Sequence, residues 1–315
     1  MRYKHFERAD VDVSALAIGT WALGGDSFGG FDLDKALRAI YVLLDKGVNL
    51  IDTAPCYGNG TSEKIVGKII KEIDRSKIMI STKCGLIPDI NTCDYIRNAS
   101  YKNLMREIES SLMNLNTDYI DFYFVHWPDV STPIAETMSA LMSLKERGFI
   151  RHIGVSNFSK EQIEEAEKFG QIDVQQPPFS MVEKSSLDLM LWGREKGIDT
   201  LTYGSMGGGV LSGKYRKVPQ FGKGDVRGSF YDFFKEPKFS KIMELLKVLD
   251  RIAGNHDKQV SQVALNWSTQ KDYVGTALVG VRSKEHAYEN LETFEWKLSD
   301  EEMKTIDDTI DRLEL

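Results

Sequence analysis

Short runs of apolar and β-branched residues alternate along the chain with longer segments whose apolar positions return at helical spacing. That alternation marks a parallel sheet built from strand–helix–strand units. Eight strand candidates stand out, at 15–19, 48–52, 78–83, 119–126, 150–155, 173–176, 199–203 and 277–280. Helical periodicity runs over 33–46, 61–72, 100–115, 133–147, 160–169 and 184–196, each stretch stopping near a glycine, a polar turn or a charged residue. Eight is the strand number of the α/β barrel. The pattern therefore predicts a (β/α)8 TIM barrel, with residues 1–315 forming one domain.

Three segments fall outside that repeat. The first fifteen residues read as a hairpin turning near Arg8-Ala9-Asp10-Val11, placed to plug the bottom of the barrel. The stretch 204–239 is rich in glycine and aromatics and lacks periodicity, so it reads as a long functional loop after strand seven or as a surface Ω-loop. A last helix is expected over 300–313, where Ser299 and Glu302 have capping-box spacing.

Composition narrows the class. With 315 residues, 42% hydrophobic and 28% charged, the chain can enclose a large core. A net charge of −7 argues against a nucleic-acid partner. The N-terminus Met1-Arg2-Tyr3-Lys4-His5-Phe6-Glu7-Arg8 has no apolar run and no membrane-length apolar stretch follows, so a cytoplasmic location without a membrane partner is expected. Cys56, Cys84 and Cys93 are too few and too irregularly spaced for a disulfide framework or a zinc motif. They are expected to be reduced thiols acting as small filler.

The chemistry lies at the carboxyl ends of the strands, where barrel active sites are built. Strand two ends in Asp52-Thr53-Ala54-Pro55-Cys56-Tyr57-Gly58, strand three in Thr82-Lys83-Cys84, and strand four in Val125-His126-Trp127-Pro128-Asp129. Taken singly, these pieces read as a helix cap, a turn and a core histidine. Delivered together to one rim, they make a proton-handling constellation. A lysine beside a tyrosine stabilises its phenolate, so Lys83 is expected to make Tyr57 acidic. Asp52 would keep the buried Lys83 charged. His126 would donate a hydrogen bond to a substrate oxygen. The constellation requires no metal, and no serine or cysteine nucleophile dyad is evident.

Gly19-Thr20-Trp21 with Leu23-Gly24-Gly25, Asp52-Thr53-Ala54 through Tyr57-Gly58, Ser62-Glu63, Thr82-Lys83, Asp118-Tyr119-Ile120-Asp121, His126, Gly148 through Arg151 and Gly154-Val155-Ser156-Asn157-Phe158 extend this pattern over most of the chain. In these stretches the sequence resembles the aldo-keto reductase superfamily. The resemblance implies a catalytic tetrad of Asp52, Tyr57, Lys83 and His126, with Tyr57 as general acid in reduction and general base in oxidation.

A strand-linked G-x-G-x-x-G fingerprint is missing, and Gly204-Ser205-Met206-Gly207-Gly208-Gly209 stands in the wrong context for one. The loops after strands seven and eight, 204–213 and 280–290, occupy the positions where barrels bind phosphate, opened here by Gly204 and Gly280. By resemblance, Ser156, Asn157 and Gln176 hold a nicotinamide carboxamide and Tyr203 stacks on its ring. Ser205, Met206, Gly207, Gly209 and Leu211 would follow the pyrophosphate, and Arg282, Ser283, His286, Glu289 and Asn290 the adenosine end. Gly19, Thr20, Trp21 and Asp52 complete the implied cofactor set. The sequence departs from the family at Phe179, where tyrosine is common, and around Gln176-Pro177-Pro178, which leaves Gln175 as the binder if the register slips by one. His286 stands where a long basic residue is usual. One arginine can hold a 2′-phosphate, whereas a nearby glutamate favours ribose hydroxyls; NADP(H) is preferred, with NAD(H) the other candidate.

The implied substrate pocket takes Trp21, Trp127, Asp129 and Tyr231, with Phe230 and Phe234 beside them. Asp129 either binds substrate hydroxyls or makes the turn after Pro128. The expected activity is NAD(P)(H)-dependent interconversion of a carbonyl and an alcohol on a sugar, polyol or small aldehyde or ketone. The alternatives are a cofactor-binding regulatory subunit with little turnover and a redox-assisted sugar epimerase or eliminase.

Overall fold

The computed structural model describes every residue except 26–27, 31, 90–94 and 223; Cys93 lies outside the described residues. Strands β1 (Tyr3–Phe6) and β2 (Val11–Ser14) form an antiparallel hairpin with Phe6 opposite Val11. There follow β3 (Leu16–Gly19), α1 (Leu33–Asp45), β4 (Leu50–Asp52), α2 (Thr61–Ile70), β5 (Met79–Cys84), β6 (Leu86–Pro88), β7 (Tyr95–Arg97), α3 (Tyr101–Leu115) and β8 (Ile120–Val125). The second half holds α4 (Ile134–Glu146), β9 (Ile150–Ser156), α5 (Lys160–Ala166), β10 (Val174–Gln176), α6 (Leu187–Glu195), β11 (Asp199–Thr202) and α7 (Arg227–Phe230). It ends with α8 (Lys238–His256), α9 (Val260–Gln270), β12 (Thr276–Val279), α10 (Lys284–Glu292) and α11 (Asp300–Leu313).

The eight strands β3, β4, β5, β8, β9, β10, β11 and β12 pair in parallel and close into a barrel, with helices around it. The eight predicted strands are these eight, shifted by a residue or two at their ends. Side chains alternate across each strand. On β3, Leu16 and Ile18 face the helices while Ala17 faces the barrel interior; on β8, Phe122 and Phe124 point inward and Tyr123 and Val125 outward. The interior is a packed core of Ala17, Leu50, Phe122, Phe124, Val174, Leu201 and Leu278, sealed at its lower end by Phe6, Ala9 and Val13 of the hairpin. The hairpin is thus the expected plug.

Local capping explains where helices begin. Asp32 accepts from the Lys35 N–H at 3.1 Å to start α1, and Ser299 and Glu302 make the reciprocal capping box that starts α11. Two features escaped the periodicity. One is the β6–β7 hairpin, which follows β5 directly at the carboxyl end of the barrel strands. The other is that the segment after β11 carries the short helices 207–212, 227–230 and 232–234 before α8 begins at Lys238. No helix among the described residues is long and apolar enough to cross a membrane.

Candidate active site

Asp52 closes β4 and Lys83 lies near the end of β5, and the parallel register sets their side chains against each other. The Lys83 ammonium donates to Asp52 Oδ2 at 2.7 Å and to the Thr53 carbonyl at 2.8 Å, with Lys83 1% and Asp52 2% exposed. Asp52 Oδ1 accepts from Ser81 Oγ at 2.7 Å and from Gln176 Nε2, on the opposite side of the barrel, at 2.9 Å. A buried ion pair of this kind holds its geometry because both carboxylate oxygens are engaged, Oδ1 twice and Oδ2 by the ammonium.

Tyr57 leaves the end of β4 through a tight crossing of two backbones. A Cβ on Gly58, whose φ is +63°, would meet the Gly24 carbonyl oxygen at 1.8 Å, and one on Gly24 would meet Tyr57 C at 2.5 Å. Glycine at both positions lets the segment after β3 press on the tyrosine turn. Thr20 reinforces it by donating its hydroxyl to the Asp52 carbonyl at 2.8 Å. The Tyr57 hydroxyl then lies 3.4 Å from Lys83 Nζ, and its ring stacks on Trp21 at 5.9 Å between centroids.

The expected direction of the Tyr57 pKa is reversed. Burial, followed by the negative charge of Asp52, raises the phenol well above its ordinary value. Burial is the larger cause, and the Lys83 cation that was to stabilise a phenolate is paired with the Asp52 carboxylate, which leaves little net positive charge to oppose it. At neutral pH it is a protonated phenol, ready to give a proton.

His126 follows β8, its ring edge-on to Tyr57 with centroids 6.2 Å apart. Burial, then the Lys83 charge, draws its pKa well below the usual histidine value, so the imidazole is neutral. Asn157, in the left-handed conformation at φ +60°, donates to the His126 carbonyl at 2.8 Å. Its Oδ1 accepts from the Tyr203 hydroxyl at 3.0 Å, while Ser156 Oγ donates to the Gln176 carbonyl at 2.8 Å. The structure therefore brings Ser156, Asn157, Gln176 and Tyr203 into one network touching Asp52 and His126. Gln175 points the other way, toward the Leu189 carbonyl and the Gly193 position of α6. Of the two glutamines, Gln176 is the one at the barrel mouth.

The loop after β11 places Gly207, Gly208 and Gly209 at φ of +55°, +62° and +97°. Ser205 Oγ donates back to the Thr202 carbonyl at 3.2 Å, and the Leu211 side chain lies in the core, so in this stretch the backbone is what remains for a ligand. Met206 packs against the same core, and Gly204 and Tyr203 line a cavity of about 140 Å³ with Pro178, Glu183 and Tyr231. After β12, Gly280 and Gly19 lie close together, with the ideal Cβ of Gly280 3.7 Å from the Gly19 oxygen. Arg282 Nη2 donates to the Phe28 carbonyl at 2.6 Å, while the acid it senses, Asp225, is taken up by Arg227. A half-buried guanidinium whose hydrogen-bond partner among the described residues is a carbonyl suits an anionic ligand. Ser283 caps α10 by accepting from the His286 N–H at 3.4 Å, and His286 is exposed. The Glu289 carboxylate is engaged by Ser261 Oγ, and Asn290 is half-buried beside it on α10.

The substrate candidates separate. Trp21 contacts Phe28 and Phe230 edge-on at 4.9 and 5.5 Å, so the loop after β11 reaches across to the segment after β3. Trp127 stands next to His126 with the Arg97 guanidinium 5.0 Å from its ring centre. Tyr231 packs on Phe230 and Phe233. Phe234 is 3% exposed and belongs to the core. Asp129 is committed to its own loop: its oxygens accept from Ala99 N, Ser131 N, Ser131 Oγ and Thr132 Oγ1 at 2.6–2.9 Å, hydrogen bonds that hold its pKa down at about 2 against the opposing effect of burial. Of its two readings, the turn describes what this carboxylate does. Sequence reasoning missed Cys56, which is a free thiol like Cys84 but sits with Sγ 3.6 Å from His126 Nδ1. It also missed Tyr95 of β7, whose hydroxyl donates to the Cys56 carbonyl at 2.8 Å.

Comparison with known proteins follows the same lines. The model of the Aldo/keto reductase family matches residues 15–311. An aldo-keto reductase of Bacillus subtilis is 36% identical over 97% of this chain and 92% of its own length. The NADH-specific methylglyoxal reductase of Escherichia coli is 30% identical, with 97% of each chain covered. The solved structure of a glycerol dehydrogenase from Gluconobacter oxydans superposes with a TM-score of 0.87 at 35% identity, covering 99% of this chain and 95% of that one.

Proposed function

Because the chain belongs to the aldo/keto reductase family, we propose that it is a nicotinamide-nucleotide-dependent oxidoreductase interconverting a carbonyl and an alcohol, with Tyr57 moving the proton. The observation that carries this reading is the Tyr57 hydroxyl at 3.4 Å from a Lys83 ammonium fixed on Asp52, beside a neutral His126. The residues around the mouth fit the nucleotide. Gln176, Ser156 and Asn157 offer amide and hydroxyl groups to a carboxamide, Tyr203 offers an aromatic face, and Arg282 offers a positive charge.

When bound, the nicotinamide supplies or accepts the hydride. The chain itself handles the proton. In reduction, Tyr57 donates its phenol proton to the substrate oxygen while His126 orients that oxygen by a hydrogen bond. Lys83 then stabilises the phenolate left behind. In oxidation the same hydroxyl, deprotonated, takes the alcohol proton.

Arg282 favours NADP(H) over NAD(H), since its guanidinium can pair with a 2′-phosphate. The relatives named for methylglyoxal and glycerol direct the choice of substrate toward small aldehydes, dicarbonyls and polyols, and an aromatic mouth formed by Trp21, Trp127 and Tyr231 accommodates such compounds. The proposal is tested with a panel of small aldehydes, sugars and polyols, followed at the nicotinamide absorbance with both nucleotides. Wild-type protein should turn over at least one pair, and Tyr57→Phe should lose roughly 10²–10⁴-fold in kcat while still binding nucleotide. Full turnover by a folded Tyr57→Phe variant would refute the mechanism. Tight nucleotide binding without turnover of any member would favour a regulatory subunit instead.

A further inference from the structure

Among the groups not used above, Cys56 has the most informative surroundings. It immediately precedes Tyr57, its Sγ lies 3.6 Å from His126 Nδ1, and its carbonyl is held by the Tyr95 hydroxyl from β7. The backbone on either side of the thiol is therefore pinned, by the hairpin on one side and by the Gly24–Gly58 crossing on the other.

We propose that Cys56 is a positioning residue: its S–H donates to His126 Nδ1, which places the imidazole proton on Nε2 and turns that nitrogen into a donor toward the substrate oxygen. A neutral imidazole carries one proton, and the nitrogen that accepts a hydrogen bond is the one without it. Two properties of the site make the direction from sulfur to nitrogen the stable one. Burial pushes the Cys56 thiol up to about 12, so it keeps its proton, and His126 is held neutral, so it has a lone pair to receive it. With the opposite tautomer, Nε2 would present a lone pair to a carbonyl oxygen and repel it. No bond is made or broken; the thiol acts only through the tautomer it selects. Cys84 has no such part, since its thiol donates to the Phe124 carbonyl at 3.3 Å.

The use made of the Nε2 proton rests on the carbonyl–alcohol chemistry proposed above, so the first measurement is independent of turnover. Ring ¹⁵N resonances of the full-length protein labelled at histidine, with His126 assigned from the His126→Asn spectrum, should show Nδ1 as the unprotonated nitrogen and Nε2 as protonated. A protonated Nδ1 in wild-type protein would overturn the proposal whether or not the enzyme's substrate is known. In Cys56→Ala the resonances should move toward a mixture of tautomers, and kcat for carbonyl reduction should fall roughly fivefold to tenfold, the worth of one hydrogen bond. Cys56→Ser, whose hydroxyl donates to the same nitrogen, should restore both the spectrum and kcat to within about twofold. The KM for nucleotide should stay unchanged in both variants. Identical ¹⁵N spectra for wild type and Cys56→Ala would also overturn it. Loss of all turnover in wild type with the Nε2–H tautomer intact would count against the proposed activity and leave the assignment of the thiol standing.

Discussion

Lys83 serves two partners. It neutralises a carboxylate that has almost no contact with water and it stands beside the phenol proposed to move the proton. Removing it exposes the first obligation more than the second. Lys83→Met should leave Asp52 charged and unpaired and cost roughly 3–5 kcal/mol in urea unfolding. Lys83→Met combined with Asp52→Leu should recover much of that stability while remaining inactive. The pH dependence belongs to the phenol. Because the folded environment raises the Tyr57 pKa, the proton donor stays loaded through neutral pH and the base form is scarce there. Reduction rates should be flat between about pH 6 and 8, while oxidation rates should climb steadily toward alkaline pH, a profile read from initial rates in both directions. An oxidation optimum at neutral pH would contradict the protonated phenol. Residue types at strand ends made the four side chains legible in the sequence. The sign of the tyrosine shift was not, because a sequence does not show how completely the phenol is buried, and burial is the larger cause of its rise. Asp129 makes the same point: Ser131 and Thr132 follow it in the chain, but only the folded loop shows all of its acceptors occupied.

At the level of elements, the turn after β4 depends on a steric allowance rather than on a favourable contact. Gly58→Ala would place a methyl where the Gly24 carbonyl oxygen stands, at a backbone angle that L-residues avoid. The variant should lose roughly 1–3 kcal/mol of stability. It should also lose more kcat than substrate affinity, since the displaced element carries Tyr57; thermal unfolding and steady-state kinetics check both. Barrel strands were readable because each is a compact apolar run between helical periods. The β6–β7 hairpin was not, because strands as short as Leu86–Pro88 and Tyr95–Arg97, the first ending in proline, give no period to detect. Its Tyr95 holds the backbone of Cys56, so the element hardest to see in the sequence supports the residue that faces His126.

Across the whole molecule, the hairpin plug and the proposed chemistry sit at opposite ends of the barrel. Phe6 fills the lower end against Phe122, with ring centroids 6.1 Å apart. Phe6→Ala should cost roughly 3–5 kcal/mol in unfolding yet leave kcat near the wild-type value at temperatures where the protein remains folded. A loss of kcat equal to that of a tetrad variant would refute this separation. The barrel followed from apolar periodicity and the plug from a turn signal near Arg8-Ala9-Asp10-Val11, whereas the course of the chain between β11 and α8 did not, since its short helical turns are set by aromatic packing around Phe221 and Phe234 rather than by a repeat. The bond from Gln176 to Asp52 has a further consequence. Every proposed proton-handling residue precedes β9, and nearly all the groups proposed to grip the nucleotide belong to β9 or follow it, so this amide, with that of Asn157 on the His126 carbonyl, forms a stitch between two functional halves of the chain. A lineage could rewrite the later half, exchanging one nucleotide for another, and inherit the acid–base chemistry intact so long as that stitch is kept.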